Sequence, residues 1–238
     1  GRIPIQEGWI GDSTLLNQNL PPWLWMWLLA GALWIGFKWM AWTAAGGWPA
    51  LGRRTLAYAP WVGMDARSFT SRQPGKRLPI RGALMRFATG AMLIWLAVPA
   101  IENPVLRGWL GMTGVLLVLH FGLFEMFAAF WNRAGFPVRP IMNAPWRARS
   151  LTEFWGERWN RAFSDVARIT VFRPLVRKLG PATGTMAGFL FSGLAHELVI
   201  SVPASGGYGL PTLYFLFQGI GVIAERRFNL RGTPASRV

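Results

Sequence analysis

The chain contains no cysteine, which excludes disulfides, thiolate catalysis and Cys-ligated metal. Histidine is almost absent as well, with only His120 and His196. Two histidines and no cysteine make a protein-bound transition metal an unexpected feature. Acids are scarce, with 10 Asp+Glu against 25 Lys+Arg, and charged residues of both signs make up 15% of the chain. Ordinary soluble domains carry roughly a quarter. Common catalytic signatures are missing too. "HELVI" lacks the second histidine of a zinc-protease HExxH, and there is no GxSxG elbow and no GxxxxGK[ST] loop. Heptads, low-complexity tracts and a convincing internal repeat are likewise missing.

What the chain does have is apolar bulk. Of its 238 residues 52% are hydrophobic, including 15 Trp and 16 Phe. A basic excess can indicate nucleic acid, but nucleic-acid binders are rarely this apolar. Basic loops between apolar segments are the mark of a membrane protein. A spanning helix needs about 20 mostly apolar residues, and five candidates occur. They are Pro21 to Trp42, Gly82 to Ala100, Trp109 to Phe130, Gly184 to Val202, and the short Pro211 to Ala224. Lys38 lies near enough to the end of the first to snorkel.

The intervening loops test that assignment. The first holds Arg53, Arg54, Arg67, Arg72, Lys76, Arg77 and Arg81 against the single acid Asp65. The third, from Trp131 to Thr183, holds ten basic residues. The second carries one Arg and one Glu, the fourth ("PASGGYG") has no charge, and the tail is basic again with Arg226, Arg227, Arg231 and Arg237. Basic and non-basic loops alternate without a miss, as the positive-inside rule demands. The expectation is an all-α, polytopic transmembrane bundle over 1–238, a single membrane-embedded domain. Its N-terminus is expected outside and its basic loops in the cytoplasm, in a bacterial inner membrane. The long loops, themselves rich in Trp, Phe and Pro, are expected to lie along the membrane surface or dip into it.

One loop is more than a connection. Ser150 and Glu153 form an S-x-x-E capping box, which predicts a helix from Leu151. Leu151, Phe154, Trp155, Trp159, Ala162, Phe163 and Val166 then share one face, and Glu157, Arg161, Ser164 and Arg168 the other. A basic amphipathic helix of this kind suits the membrane interface. Gly156 within it costs about 1 kcal/mol relative to Ala. Close approach by another group is one reason to accept that cost. Asn160, one turn further on at the boundary of the faces, is a candidate polar group of a site, though it can equally bond water or backbone.

The second candidate is His196, in "GTMAGFLFSGLAHELVISV". At helical spacing Gly184, Gly188 and Ser192 lie beneath it, with Gly193 three residues back. Small residues at this spacing let helices pack closely, and they also leave free volume beside an imidazole. An ionisable residue at membrane depth is a functional hypothesis in its own right, and histidine is the side chain most readily poised as a base near neutral pH. His120, by contrast, has Leu116, Leu117, Leu123 and Phe124 around it and reads as a buried structural histidine bonded to another helix. Glu125, five residues on, lies on a different face from it. Glu197 points about 100° away from His196 and is expected to meet an arginine of a neighbouring segment.

"SLTEFWGERWN", followed about thirty residues later by "FLFSGLAHELVIS", resembles the wax-synthase-like branch of the membrane-bound O-acyltransferase superfamily. "PIMNAPWRARS" upstream and "FQGIGVIAERR" downstream fit that branch, so the likeness covers a core of about 140–227. The resemblance implies acyl transfer from acyl-CoA, a co-substrate and not a resident cofactor, to a long-chain alcohol or similar lipophilic hydroxyl among the membrane lipids. It implies His196 and Asn160 as the catalytic pair, with Trp155, Arg158, Trp159, Ser192 and Gly193 as substrate-binding residues, and the basic residues from Arg147 to Lys178 are expected to hold the phosphates of CoA. No metal and no nucleic acid are implied. The chain departs from the plant pattern at Glu157, where arginine is usual, and a change of local charge is expected there. Family members generally have more than five spans, so this chain is expected to lack one end or both. Two other classes stay open: a transporter with His196 as a proton relay, and a non-catalytic, truncated relative.

Overall fold

The computed structural model describes residues 20–71 and 73–229. Arg72, Arg231 and Arg237, counted above among the basic loop and tail residues, lie outside them. All regular structure among the described residues is helical. The first helix, α1, spans Pro22–Ala44 and opens with proline at its first turn, where the missing N–H costs nothing. Its outer face stays bare, with Trp23, Ile35 and Trp39 all largely exposed, as a lipid-facing surface would be.

Lys38 does not snorkel. Its side chain turns inward and is only 7% exposed. The ammonium donates to the backbone carbonyls of Tyr58 at 2.8 Å, Trp61 at 2.7 Å and Gly63 at 3.2 Å, and sits 3.3 Å from the centroid of the Tyr58 ring. One cation thereby closes the end of α1 over the 58–63 loop. The aromatics of that loop follow it into the protein. Tyr58, Trp61 and Phe69 form a buried cluster with Leu51, Ala128 and Val138, so these side chains fill a protein core instead of lying along the membrane surface.

Helices α2 (Arg81–Ala100) and α3 (Pro104–Arg133) form a tight antiparallel hairpin. Asn103 caps α3 by accepting from the N–H groups of Val105 and Leu106, each at 3.0 Å. Glycine makes the close crossing possible. A Cβ on Gly90 would stand 2.7 Å from the Gly114 carbonyl oxygen, and one on Gly114 would stand 2.7 Å from the Ile94 side chain. Glu125 pairs with Arg86, not with His120. His120 is packed as expected, with its ring edge-on to Phe124 at 5.2 Å. The bond to another helix is not made, because its Nδ1 is buried without a hydrogen-bond partner.

The C-terminal half contains α4 (151–158), α5 (161–179), α6 (181–204) and α7 (Leu210–Arg227). The continuous amphipathic helix expected from Leu151 is broken. Trp159 is extended, with φ −93° and ψ 129°, and Asn160 is left-handed, with φ 38° and ψ 62°. The apolar stretch from Arg161 to Ala204 also reverses on itself. Phe163 and His196 lie 33 residues apart (196 − 163) and a straight helix would separate them by about 50 Å, yet their ring centroids are 6.3 Å apart. The turn is at Gly180, whose φ of 84° and ψ of 169° no other residue type adopts readily. Pro181 restarts the helix from there.

Among the described residues four helical stretches can cross a membrane by length and composition, namely α1, α2, α3 and the α5–α6 stretch. The fifth expected span is different. Its helix, α7, has 18 residues but ends in Glu225, Arg226 and Arg227, so it does not match the other four. It packs instead along α6, where Gly193 lies so close that a Cβ would meet the Thr212 backbone at 2.7 Å.

Replacing Lys38 by Met keeps the volume but strands three carbonyls without a donor. We expect a loss of about 3 kcal/mol, read as a drop in thermal midpoint in detergent micelles, with no recovery in Lys38→Arg.

Candidate active site

The site is assembled from α4, α5, α6 and α7. It begins with the capping box. Ser150 Oγ accepts from the Glu153 N–H at 3.0 Å, which starts α4 where expected. The returning Glu153 carboxylate accepts from the N–H of Arg149, at 2.8 Å, instead of from that of Ser150. It also binds Arg158 at 2.6 Å. The Arg149 N–H first, and Arg158 second, hold this carboxyl below the usual carboxylate range. Arg158 additionally donates to the carbonyls of Asn143 and Ala144. That arginine is a brace for the 143–147 loop, and it is not among the residues lining the cavity described below.

Asn160 is held from three sides. Its own N–H points at Met142 Sδ, 3.3 Å away. The neighbouring Arg161 N–H donates to Ile141 O at 2.9 Å, and the Asn143 N–H to Arg158 O at 2.8 Å. The 141–143 segment therefore runs beside the break like a short splint. Asn160 Oδ1 accepts from the Phe163 N–H at 3.3 Å and caps α5. Asparagine suits the place twice over, because it tolerates the left-handed region and is a favoured cap. With Oδ1 engaged, the side chain has its Nδ2 donor left for a ligand.

On α6, His196 Nδ1 lies 2.7 Å from the carbonyl oxygen of Ser192. Nδ1 must carry the proton to donate to a carbonyl, which leaves Nε2 as an acceptor. The ring packs against Phe215 of α7 at 4.5 Å. Glu197, next in sequence, meets no arginine. Its Oε1 accepts from Thr212 N and Oγ1 at 3.1 and 3.0 Å, where a carboxylate opposes the positive end of α7. Glu225 near the other end of α7 does the same for α4, accepting from the Leu151 N–H at 2.6 Å.

These elements enclose a cavity of about 250 Å³ lined by both His196 and Asn160. Trp155, Trp159 and Ser192 also line it, and Trp155 is fixed by donating Nε1–H to Gln218 at 3.1 Å. Gly193 does not line it, since its bare face is used against Thr212. Thr152, Thr185, Arg168 and Arg226 line the cavity too, and of these four the sequence marked only Arg168, as one of the basic residues from Arg147 to Lys178. Arg226 donates to Thr185 Oγ1 at 3.2 Å. The 11-residue spacing of Thr185 and His196, three helical turns, was the available signal. Among the described residues no cluster of His, Cys, Asp or Glu suits a metal ion.

Comparison with known proteins bears on this cavity. Residues 138–217 match the Membrane bound O-acyl transferase family. That stretch supplies α4, α5, α6 and the start of α7. Curated relatives match as well. A protein of Arabidopsis thaliana named Probable long-chain-alcohol O-fatty-acyltransferase 2 is 34% identical over 116 residues, 44% of this chain and 34% of that protein. The Long-chain-alcohol O-fatty-acyltransferase of Simmondsia chinensis is 36% identical over 72 residues, 27% of this chain and 20% of that protein. Acyl-CoA--sterol O-acyltransferase 1 of Arabidopsis thaliana is 40% identical over 72 residues, 26% of this chain and 20% of that protein. The chain spans about a third of the length of the first of these relatives. No solved structure matches it. Four apolar helices among the described residues, and the match of 138–217 to a membrane-bound family, mark the chain as an integral membrane protein. These relatives are plant proteins, so they lend nothing to the expected bacterial inner membrane.

The geometry separates two roles of Asn160. Asn160→Gly keeps the left-handed turn and is expected to cost a few tenths of a kcal/mol, whereas Asn160→Ala loses the cap and strains the turn, costing about 2 kcal/mol. Thermal unfolding of the two variants checks this. Equal losses would remove the turn from the account.

Proposed function

We propose that the chain is the catalytic core of an acyl-CoA-dependent O-acyltransferase that esterifies a long-chain alcohol or a similar lipophilic hydroxyl. One observation carries the reading: His196 and Asn160, from elements separated by a chain reversal, line one cavity within the family-matched stretch. The curated relatives' names supply the substrate class.

The reaction follows from the atoms. An alcohol is a weak nucleophile until it loses its proton. His196 Nε2, left unprotonated by the Nδ1 bond to Ser192 O, takes that proton as the oxygen attacks the thioester carbonyl. The carbonyl oxygen gains negative charge, and the Asn160 Nδ2 donor stabilises it. Collapse breaks the C–S bond, and the imidazolium returns its proton to the departing thiolate. Ester and free thiol leave, and His196 is restored. The aromatic rings of Trp155, Phe163 and Phe215 keep water from competing.

The polar end of the cavity suits the donor's phosphates. Arg168 and Arg226 both line the cavity, and guanidinium groups bind phosphate through paired N–H bonds. Thr185 and His196 are 11 residues apart (196 − 185), about 16 Å along the helix, which is about the reach of the arm between a coenzyme A thiol and its diphosphate. The donor then enters from the side bearing the basic loops, which we assign to the cytoplasm. The acceptor arrives from the bilayer.

His196→Ala in membranes supplied with acyl-CoA and a fatty alcohol is expected to lower ester formation by about 10²- to 10⁴-fold, with the protein still folded. Full ester yield from that variant would remove the base.

A further inference from the structure

Six glycines lie on the elements that surround the cavity, and they divide into two kinds. Four are closely packed. A Cβ on Gly184 would stand 2.5 Å from Val176, on Gly193 2.7 Å from the Thr212 backbone, on Gly219 3.1 Å from Phe189, and on Gly221 2.8 Å from Leu151. The other two, Gly156 on α4 and Gly188 on α6, would meet no protein atom within 4 Å. Neither has a positive φ. Both line the cavity. Their sequence neighbours Trp155 and Phe189 touch edge-to-face, with centroids 5.8 Å apart. Glycine weakens a helix relative to alanine, and neither backbone conformation nor helix packing explains it at these two places. Occupation of the cavity by something other than protein does.

We propose that Gly156 and Gly188 determine donor specificity, by forming the bare walls of a passage that seats the narrow arm of acyl-CoA between the arginine end and His196. This rests on the acyltransferase reading above. Gly188 stands three residues past Thr185 and eight before His196, about 4.5 Å and 12 Å along α6. It therefore faces the part of the donor between phosphate and thioester, and not the acyl chain beyond it. The two glycines limit how thick the donor is on the thiol side of the carbonyl and are indifferent to acyl length. A Cβ at Gly188 would meet no protein atom within 4 Å, and a larger side chain there would compete with bound donor for the cavity.

The test uses the full chain in membranes, with acyl-CoA donors from C10 to C18 and one alcohol, then one donor and several alcohols. Gly188→Ala is expected to raise the thermal midpoint and raise KM for the donor a few-fold. Gly188→Leu is expected to raise donor KM by about tenfold, by the same factor for every acyl length, with alcohol preference unchanged. An unchanged donor KM in Gly188→Leu, or an effect that grows with acyl length, would overturn the proposal. The first means the passage is not used, and the second means the acyl chain lies there. Absence of ester product from the unmodified protein is a different failure, and it would sink the acyltransferase reading itself.

Discussion

The reversal at Gly180 and Pro181 is the constraint on which the site depends. It folds α5 back along α6, so that Phe163 comes against the His196 ring and Phe172 and Val176 pack over Gly184. Without it Asn160 and His196 would stand at opposite ends of one long helix. The reversal needs a residue with no Cβ penalty at φ 84°, and proline directly after it commits the chain to a new helix.

Two carboxylates then lock the returning helices in register. Glu197 on α6 caps α7, and Glu225 on α7 caps α4. Each lies where the next helix exposes unsatisfied N–H groups. The apolar membrane-facing surface contributes no such directional bonds, so the arrangement of α4, α6 and α7 relies on these polar links and on the glycine contacts at Gly193, Gly219 and Gly221. A second set of links ties the N-terminal half to the site. Asp65 accepts from the Arg139 N–H at 3.1 Å, and the Arg139 side chain pairs with Asp165 at 2.5 Å. The segment so anchored runs on to the 141–143 splint beside Asn160.

Much of this was legible from residues alone, and the misses share a cause. Apolar runs and loop charge revealed the spans at α1, α2 and α3, because both signals depend on local composition. The capping box at Ser150 and Glu153 marked the start of α4 for the same reason. The break at Trp159 and Asn160 was hidden, since Ala162, Phe163 and Val166 continue the apolar spacing across it and periodicity carries no information on the sign of φ. Lys38 read as a snorkelling cation because its partners, three backbone carbonyls 20 to 25 residues away, have no sequence signature. Glu197 likewise found a helix end in place of an arginine. Within the site, His196 stood out as an ionisable group in an apolar run. Arg226 did not, because in a chain with 25 Lys+Arg a topological explanation covers any single arginine.

The central claim is that one cavity receives the donor's phosphates at Arg168 and Arg226 and its thioester at His196. Cryo-electron microscopy of the protein in lipid nanodiscs with a non-hydrolysable acyl-CoA analogue tests it most directly. The account predicts the carbonyl carbon within reach of His196 Nε2, the arm passing Gly188, and the diphosphate against the two arginines. Density for the analogue outside this cavity, with the His196 ring closed off by its aromatic neighbours, would contradict it.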